Sequence, residues 1–219
     1  MLNVTIGAKM KTSFDISGIK TARTKLVVGG LLMASALGLT GCGPGVLVGA
    51  GATAGVAVAQ ERSVGAAVDD TAISVQINEA LLKDSESLFR NVDVDVVEGR
   101  VLLTGSVPTA DDRVKSARIT WKVNGVKEVM NELQVTNRGS IVDYLKDGKI
   151  TAHLRLLLLQ DREISDINFT VETVNGTVYL LGIAQNQAEL DKLTNHARNI
   201  NGVVKVISHV RLKNDPRRN

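Results

Sequence analysis

The chain has 219 residues, only 3% of them aromatic, so one ordinary domain or two small ones must be built on Val, Leu, Ile and Ala. The net charge of +3 belongs to residues 1–41, where Lys9, Lys11, Lys20, Arg23 and Lys25 face Asp15 alone. Subtracting that +4 leaves −1 for residues 42–219, which removes the case for nucleic-acid binding, and the single cysteine excludes an internal disulfide.

Lys20, Arg23 and Lys25 precede a mostly apolar stretch, Leu26 to Leu39, and small residues follow up to Cys42. This is the order of a secretory signal over residues 1–41, and the stretch is shorter than the ~20 apolar residues a membrane span needs. "LTGC", residues 39–42, has the form of a bacterial lipobox, which makes Cys42 the expected lipidation site. A buried thiol is the plainer alternative. Residues 42–65 are rich in Gly, Ala and Val and read as a pliant tether beside the membrane.

Beyond the tether the sequence repeats at a constant offset of 77. Ile73, Ile77, Leu81 and Asp84 match Ile150, Leu154, Leu158 and Asp161, and Gly99, Gly105 and Gly125 match Gly176, Gly182 and Gly202. Three glycines and two periodic segments at one offset imply two homologous domains, placed at 66–137 and 138–214, with a basic tail at 215–219. In each copy the periodicity predicts a helix (71–83, 149–160), an alternating strand (Val92, Val94, Val96; Ile167, Phe169, Val171) and a hairpin into a second strand. A second helix (109–123, 186–200) and a final strand (126–135, 203–212) follow. The unit is α-β-β-α-β. The fold class is α+β, a three-stranded mixed sheet with two helices packed on one face. The six glycines read as structural, placed where a strand bends or an element crosses closely. Each core is small enough that the two domains are expected to lean on each other.

"EGRVLLTG…NGVKEV" and "NGTVYLLG…NGVVKV" resemble the BON domain, and two copies behind a lipobox resemble the tandem BON-domain outer-membrane lipoproteins. The resemblance covers residues 30–213. It implies an anchor at the periplasmic face of the outer membrane, binding of anionic phospholipid through the second domain, and support of envelope integrity. It also implies association with the outer-membrane protein assembly machinery. The alternative is an envelope scaffold or stress protein that binds a protein partner and no lipid headgroup.

"KITAHLRLLLLQ" carries the site. At about 100° per residue, Ile150, Leu154, Leu157 and Leu158 share the core face, while Lys149, Ala152, His153 and Leu156 share the opposite side. Copy one has Ala72 and Glu79 where copy two has Lys149 and Leu156. An outward leucine beside an outward cation suits acyl chains and anionic headgroups; packing of Leu156 against copy one is the alternative. Lys149 stands where the family's lipid-binding protein begins this helix with Trp, and Tyr144 and Leu145 offer substitute apolar anchors. Residues 60–137 carry 9 cations and 13 anions, and residues 138–219 carry 12 and 9, so only copy two is drawn to an anionic surface. The terminal "RLKNDPRRN" adds to that pull, with a merely solvated tail the plainer alternative.

No enzyme is indicated. His153, His196 and His209 fall on separate elements without metal-ligand spacing, and no glycine loop lies between a strand and a helix. Asp69-Asp70 and Asp111-Asp112 read as helix-start carboxylates. No cofactor, metal, nucleic acid or small-molecule substrate is expected.

Overall fold

A computed structural model describes residues 60–136 and 141–218; the leader, Cys42 and the tether up to Ala59 lie outside the described residues. Copy one runs α1 (Val64–Asp84), α2 (Glu86–Asn91), β1 (Val92–Val97), β2 (Arg100–Val107), α3 (Ala110–Thr120), β3 (Glu128–Asn131) and β4 (Gln134–Val135). Copy two runs α4 (Ile141–Gln160), a 3-10 turn (Asp166–Asn168), β5 (Phe169–Val174), β6 (Thr177–Ala184), α5 (Gln187–Arg198), β7 (Lys205–Leu212) and a closing 3-10 turn (Pro216–Arg218). The class is α+β, as expected. In each copy the hairpin's second strand is central: β2 is antiparallel to β1 and parallel to β3 and β4, and β6 is antiparallel to β5 and parallel to β7.

Two elements exceed the sequence expectation: α4 begins at Ile141, not 149, and α2 is an unexpected short helix whose Ser85 cap accepts from the Leu88 amide. Four further departures have local causes. The first helix begins at Val64, not 71, because the Ser63 hydroxyl accepts from the Ala66 amide and caps a turn whose small residues read as tether. Asp70 is therefore inside α1, not at its start. Its buried carboxylate accepts from the Glu98 and Gly99 amides, both at 2.8 Å, and pairs with Arg62 at 3.0 Å. Asp147 does the same for the Asn175 and Gly176 amides at 2.7 and 2.8 Å, so each first helix pins its own hairpin turn. Asp111 and Asp112 do lie in the first turn of α3. The third departure is that the final strand of copy one breaks at Glu132-Leu133, where Leu133 turns into the core. In the fourth, Ile167 falls in the 3-10 turn and is exposed, and β5 starts at Phe169.

Each helix pair covers one face of its own sheet. Ile73, Ile77, Leu81, Val101 and Leu103 form the core of copy one; Ile150, Leu154, Leu158, Val178 and Leu180 form that of copy two. The alternate residues of the central strands bury on the other side. Val97, Leu102 and Met130 of copy one pack with Tyr179, Leu181 and Ile183 of copy two in a third cluster. The two sheets thus meet through their helix-free faces, which is why β2 and β6 are buried at nearly every position. The order is helices, sheet, sheet, helices, and the two helical layers face outward in opposite directions. Among the described residues, the packed apolar side chains of these clusters lie between Ile73 and Val210, within residues 60–219.

Polar groups close the rim of this seam. Arg100, nearly buried, pairs with Glu128 at 3.0 Å and donates to the His209 carbonyl at 2.8 Å. Arg211 reaches the same Glu128 at 2.6 Å, and the His209 ring meets Glu132 at 3.0 Å. The C-terminal tail joins them. Lys213 pairs with Glu61 at 2.7 Å, Arg218 grips Glu98 at 2.7 and 3.0 Å, and Arg217 pairs with Asp215 at 2.6 Å. The sequence reading placed these cations toward a membrane; the carboxylates of copy one and of the tail itself hold them instead.

Asp95 makes the seam sensitive to pH. It pairs across the sheet with Leu102, and Glu172 pairs with Tyr179, so both carboxylates share faces with seam residues. Burial first, then Glu172 and Asp93, push Asp95 up to about 7, with Arg155 pulling the other way. The unfolded chain releases this proton near pH 4 and the folded chain near pH 7. Stability contributed by the protonated form is therefore lost as pH rises between those values. Asp95→Asn should raise the melting temperature at pH 8 and leave it nearly unchanged at pH 4. Equal shifts at both pH values would contradict this.

Candidate functional site

The outward side of α4 is built by its periodicity. Ile150, Leu154 and Leu158, four residues apart, turn into the core and are at most 5% exposed. What remains outside is Leu145, Lys149, Ala152, His153, Leu156 and Leu159, all exposed, with Tyr144 at 79% beside them. Leu145, Ala152 and Leu159 recur at seven-residue spacing and form a ridge, and Leu156 adjoins it at 51% exposure. Leu159 is the residue the sequence reading left out. Its signal is the seven-residue spacing from Leu145 and Ala152, which puts it on their side of the helix.

On α4 itself the cations Lys146, Lys149 and Arg155 outnumber the carboxylates Asp143 and Asp147. Lys149 and His153 make no ion pair or hydrogen bond among the described residues. Lys146 pairs loosely with Asp143 at 3.4 Å, and Arg155 reaches Glu172 at 3.4 Å and the Val171 carbonyl at 3.1 Å. Both of those cations stay mostly exposed. Between the first half of α4, the β5–β6 turn and the loop before β7 lies a cleft of about 520 Å³, lined by Lys146, Lys149, His153, Asn175, Gly202 and Val204. Asp143 and Asp147 also line it; Asp143 pairs with Lys146, and the Asp147 oxygens are occupied by the turn amides. The cleft therefore presents one unpaired ammonium group, Lys149, with an imidazole and apolar atoms, a combination suited to a phosphate ester attached to an acyl chain.

Copy one has the same cleft with another character. It measures about 450 Å³ and is lined by Asp69, Glu98, Lys127 and Arg218 among others. Arg218, brought in by the tail, neutralises Glu98 there. Where copy two has Lys149 and His153, copy one has Ala72 and Gln76. The outer ridge of α1 keeps Val68, Val75 and Leu82, but Glu79 replaces the outward Leu156 and forms a 2.8 Å pair with Lys83.

The other sequence candidates fall elsewhere. His196 pairs with Asp161 at 2.9 Å and His209 with Glu132, so the three histidines do not converge. Among the described residues no group of three or more His, Cys, Asp or Glu is arranged to hold a metal, and no helix is long and apolar enough to cross a membrane. Cys42 lies outside the described residues.

A sequence model of the BON domain matches residues 69–137 and 146–214. The chain is 40% identical over 147 residues to "Uncharacterized protein in gshII 5'region" of Anaplasma centrale, spanning 67% of this chain and 96% of that one. It is 32% identical over 179 residues to "Outer membrane lipoprotein DolP" of Haemophilus influenzae, spanning 81% and 91%. It is 28% identical over 154 residues to "Osmotically-inducible protein Y" of Escherichia coli, spanning 69% and 77%.

Proposed function

Because this chain belongs to the BON-domain family and carries two copies of the domain, we propose that it is an envelope lipoprotein whose second domain binds anionic phospholipid. The observation that carries this reading is the asymmetry of the two first helices. On a shared scaffold, only α4 carries a protruding apolar ridge together with an unpaired lysine, Lys149, at the mouth of a cleft. The outer-membrane lipoprotein among its relatives supports the envelope assignment.

Acyl chains on Cys42 hold the protein at the inner face of the outer membrane, and the tether gives copy two reach to the headgroups. One acyl chain anchors weakly, and a triacylated cysteine combined with a basic, apolar face gives a durable hold. Each exposed cation near an anionic surface contributes about 1 kcal/mol before screening. The role is binding without catalysis, and it supports envelope integrity by fixing the body of the protein on the lipid surface.

Flotation of residues 60–219 with phosphatidylglycerol vesicles at low salt tests the lipid contact. The wild type should float, and the Lys149→Glu, Leu156→Asp double variant should stay in the dense fraction. A double variant that floats like the wild type would remove the reading. For the anchor, the intact mass of the membrane-extracted protein should show acylation that Cys42→Ala abolishes; an unmodified Cys42 would refute it.

A further inference from the structure

The helical layer of copy one points away from that of copy two, so one flat membrane cannot touch both. Copy one nevertheless exposes a large apolar group there. On α3, Val114, Arg118 and Trp121 follow at i, i+4 and i+7 and share a face, with Val114 54% and Trp121 53% exposed. Lys122 adjoins them, and neither Arg118 nor Lys122 has a partner among the described residues. The matching positions of copy two are Asp191, Asn195, Arg198 and Asn199, all polar. The fold therefore does not require apolar groups at these places.

We propose that this outer face of α3 docks a protein segment that combines apolar side chains with carboxylates. Trp and Arg are among the residue types most enriched at the energetic centres of protein interfaces. The charges select the partner. A narrow segment lies within a screening length of Arg118 and Lys122 and feels their positive charge. A planar membrane on the α4 side does not reach this face, which points the other way, so the charge of Arg118 and Lys122 is left to a protein segment. The face thus complements an acidic segment. The inference rests on the proposed lipid contact only for which side the membrane occupies, and the protein then bridges a lipid surface and a protein partner.

Trp121 is the only tryptophan in the chain and reports directly on this face. Residues 60–219 are titrated with two Trp-free amphipathic helical peptides of identical leucine spacing, one flanked by Glu and one by Lys. The Glu peptide should shift Trp121 emission to shorter wavelength with saturation, the Lys peptide should not, and Arg118→Glu with Lys122→Glu should weaken the Glu peptide about tenfold or more. Phosphatidylglycerol vesicles should leave the emission unchanged. An equal response to both peptides, no response to either, or a vesicle-induced shift would each overturn the proposal. A Glu-peptide shift in a protein that ignores vesicles would uphold this face and refute the lipid contact separately.

Discussion

Gly182→Val is expected to unfold copy two. Gly182 has φ of 152°, and a side chain there would place Cβ 2.1 Å from the Asn168 carbonyl oxygen and 2.9 Å from the Phe169 ring. Gly105 meets the Asn91 carbonyl at the same 2.1 Å, so the close approach belongs to the repeat. The neighbour is backbone entering the edge strand, which cannot rotate away as a side chain would. Strain at such a φ costs about 1–3 kcal/mol and overpacking about 1–3 more. Their sum, about 2–6 kcal/mol, reaches the lower end of the stability of a small domain, about 5–15 kcal/mol. Gly148 is the control: nothing lies within 4 Å of its added Cβ, and it sits on the exposed side of α4. Gly148→Ala should stabilise the helix by about 1 kcal/mol. Urea titrations followed by circular dichroism measure both; a Gly182→Val protein with a near-native midpoint would contradict the account.

Leu181→Asp is expected to separate the two copies. Leu181 is fully buried in the seam, in one cluster with Val97, Leu102, Met130 and Ile183. A carboxylate there would lie among apolar groups without a partner, at a cost of about 3–5 kcal/mol. The volume-conserving Leu181→Met should cost less than about 1.5 kcal/mol. The seam joins two small cores, so calorimetry of the wild type should show one transition and Leu181→Asp two, with copy one melting later. A single, little-shifted transition in Leu181→Asp would show that the sheets do not stabilise each other.

The repeat made the two-domain α+β architecture readable, because a fixed offset aligns glycines and helical periodicity together. The seam was readable in outline from the small size of each core, and "TVYLLGIA" is too continuously apolar for a strand with one solvated face, whereas "RVLLTGSV" carries Arg100, Thr104 and Ser106. The exposed side of α4 followed from the spacing of Ile150, Leu154 and Leu158 alone. Other features depend on contacts distant in sequence. Asp70 reads as a helix-start residue until the turn at Glu98-Gly99 is seen to fold onto it. The tail reads as a free basic patch until Glu61 and Glu98 are found beside Lys213 and Arg218. Residues 65–67, Gly-Ala-Ala, resemble the tether, and only the Ser63 cap distinguishes them. Trp121 gains meaning from the opposed helical layers, which no local pattern encodes.

The central claim is that the α4 face lies on phospholipid while the α3 face points away from it. Nitroxides placed singly at positions 156 and 114 of residues 60–219, bound to phosphatidylglycerol vesicles, report this through accessibility to oxygen dissolved in the bilayer and to a water-soluble nickel chelate. The account predicts that position 156 gains oxygen contact and loses the chelate on binding, while position 114 stays aqueous. A position 156 that remains aqueous in bound protein, or two positions that respond alike, would contradict it.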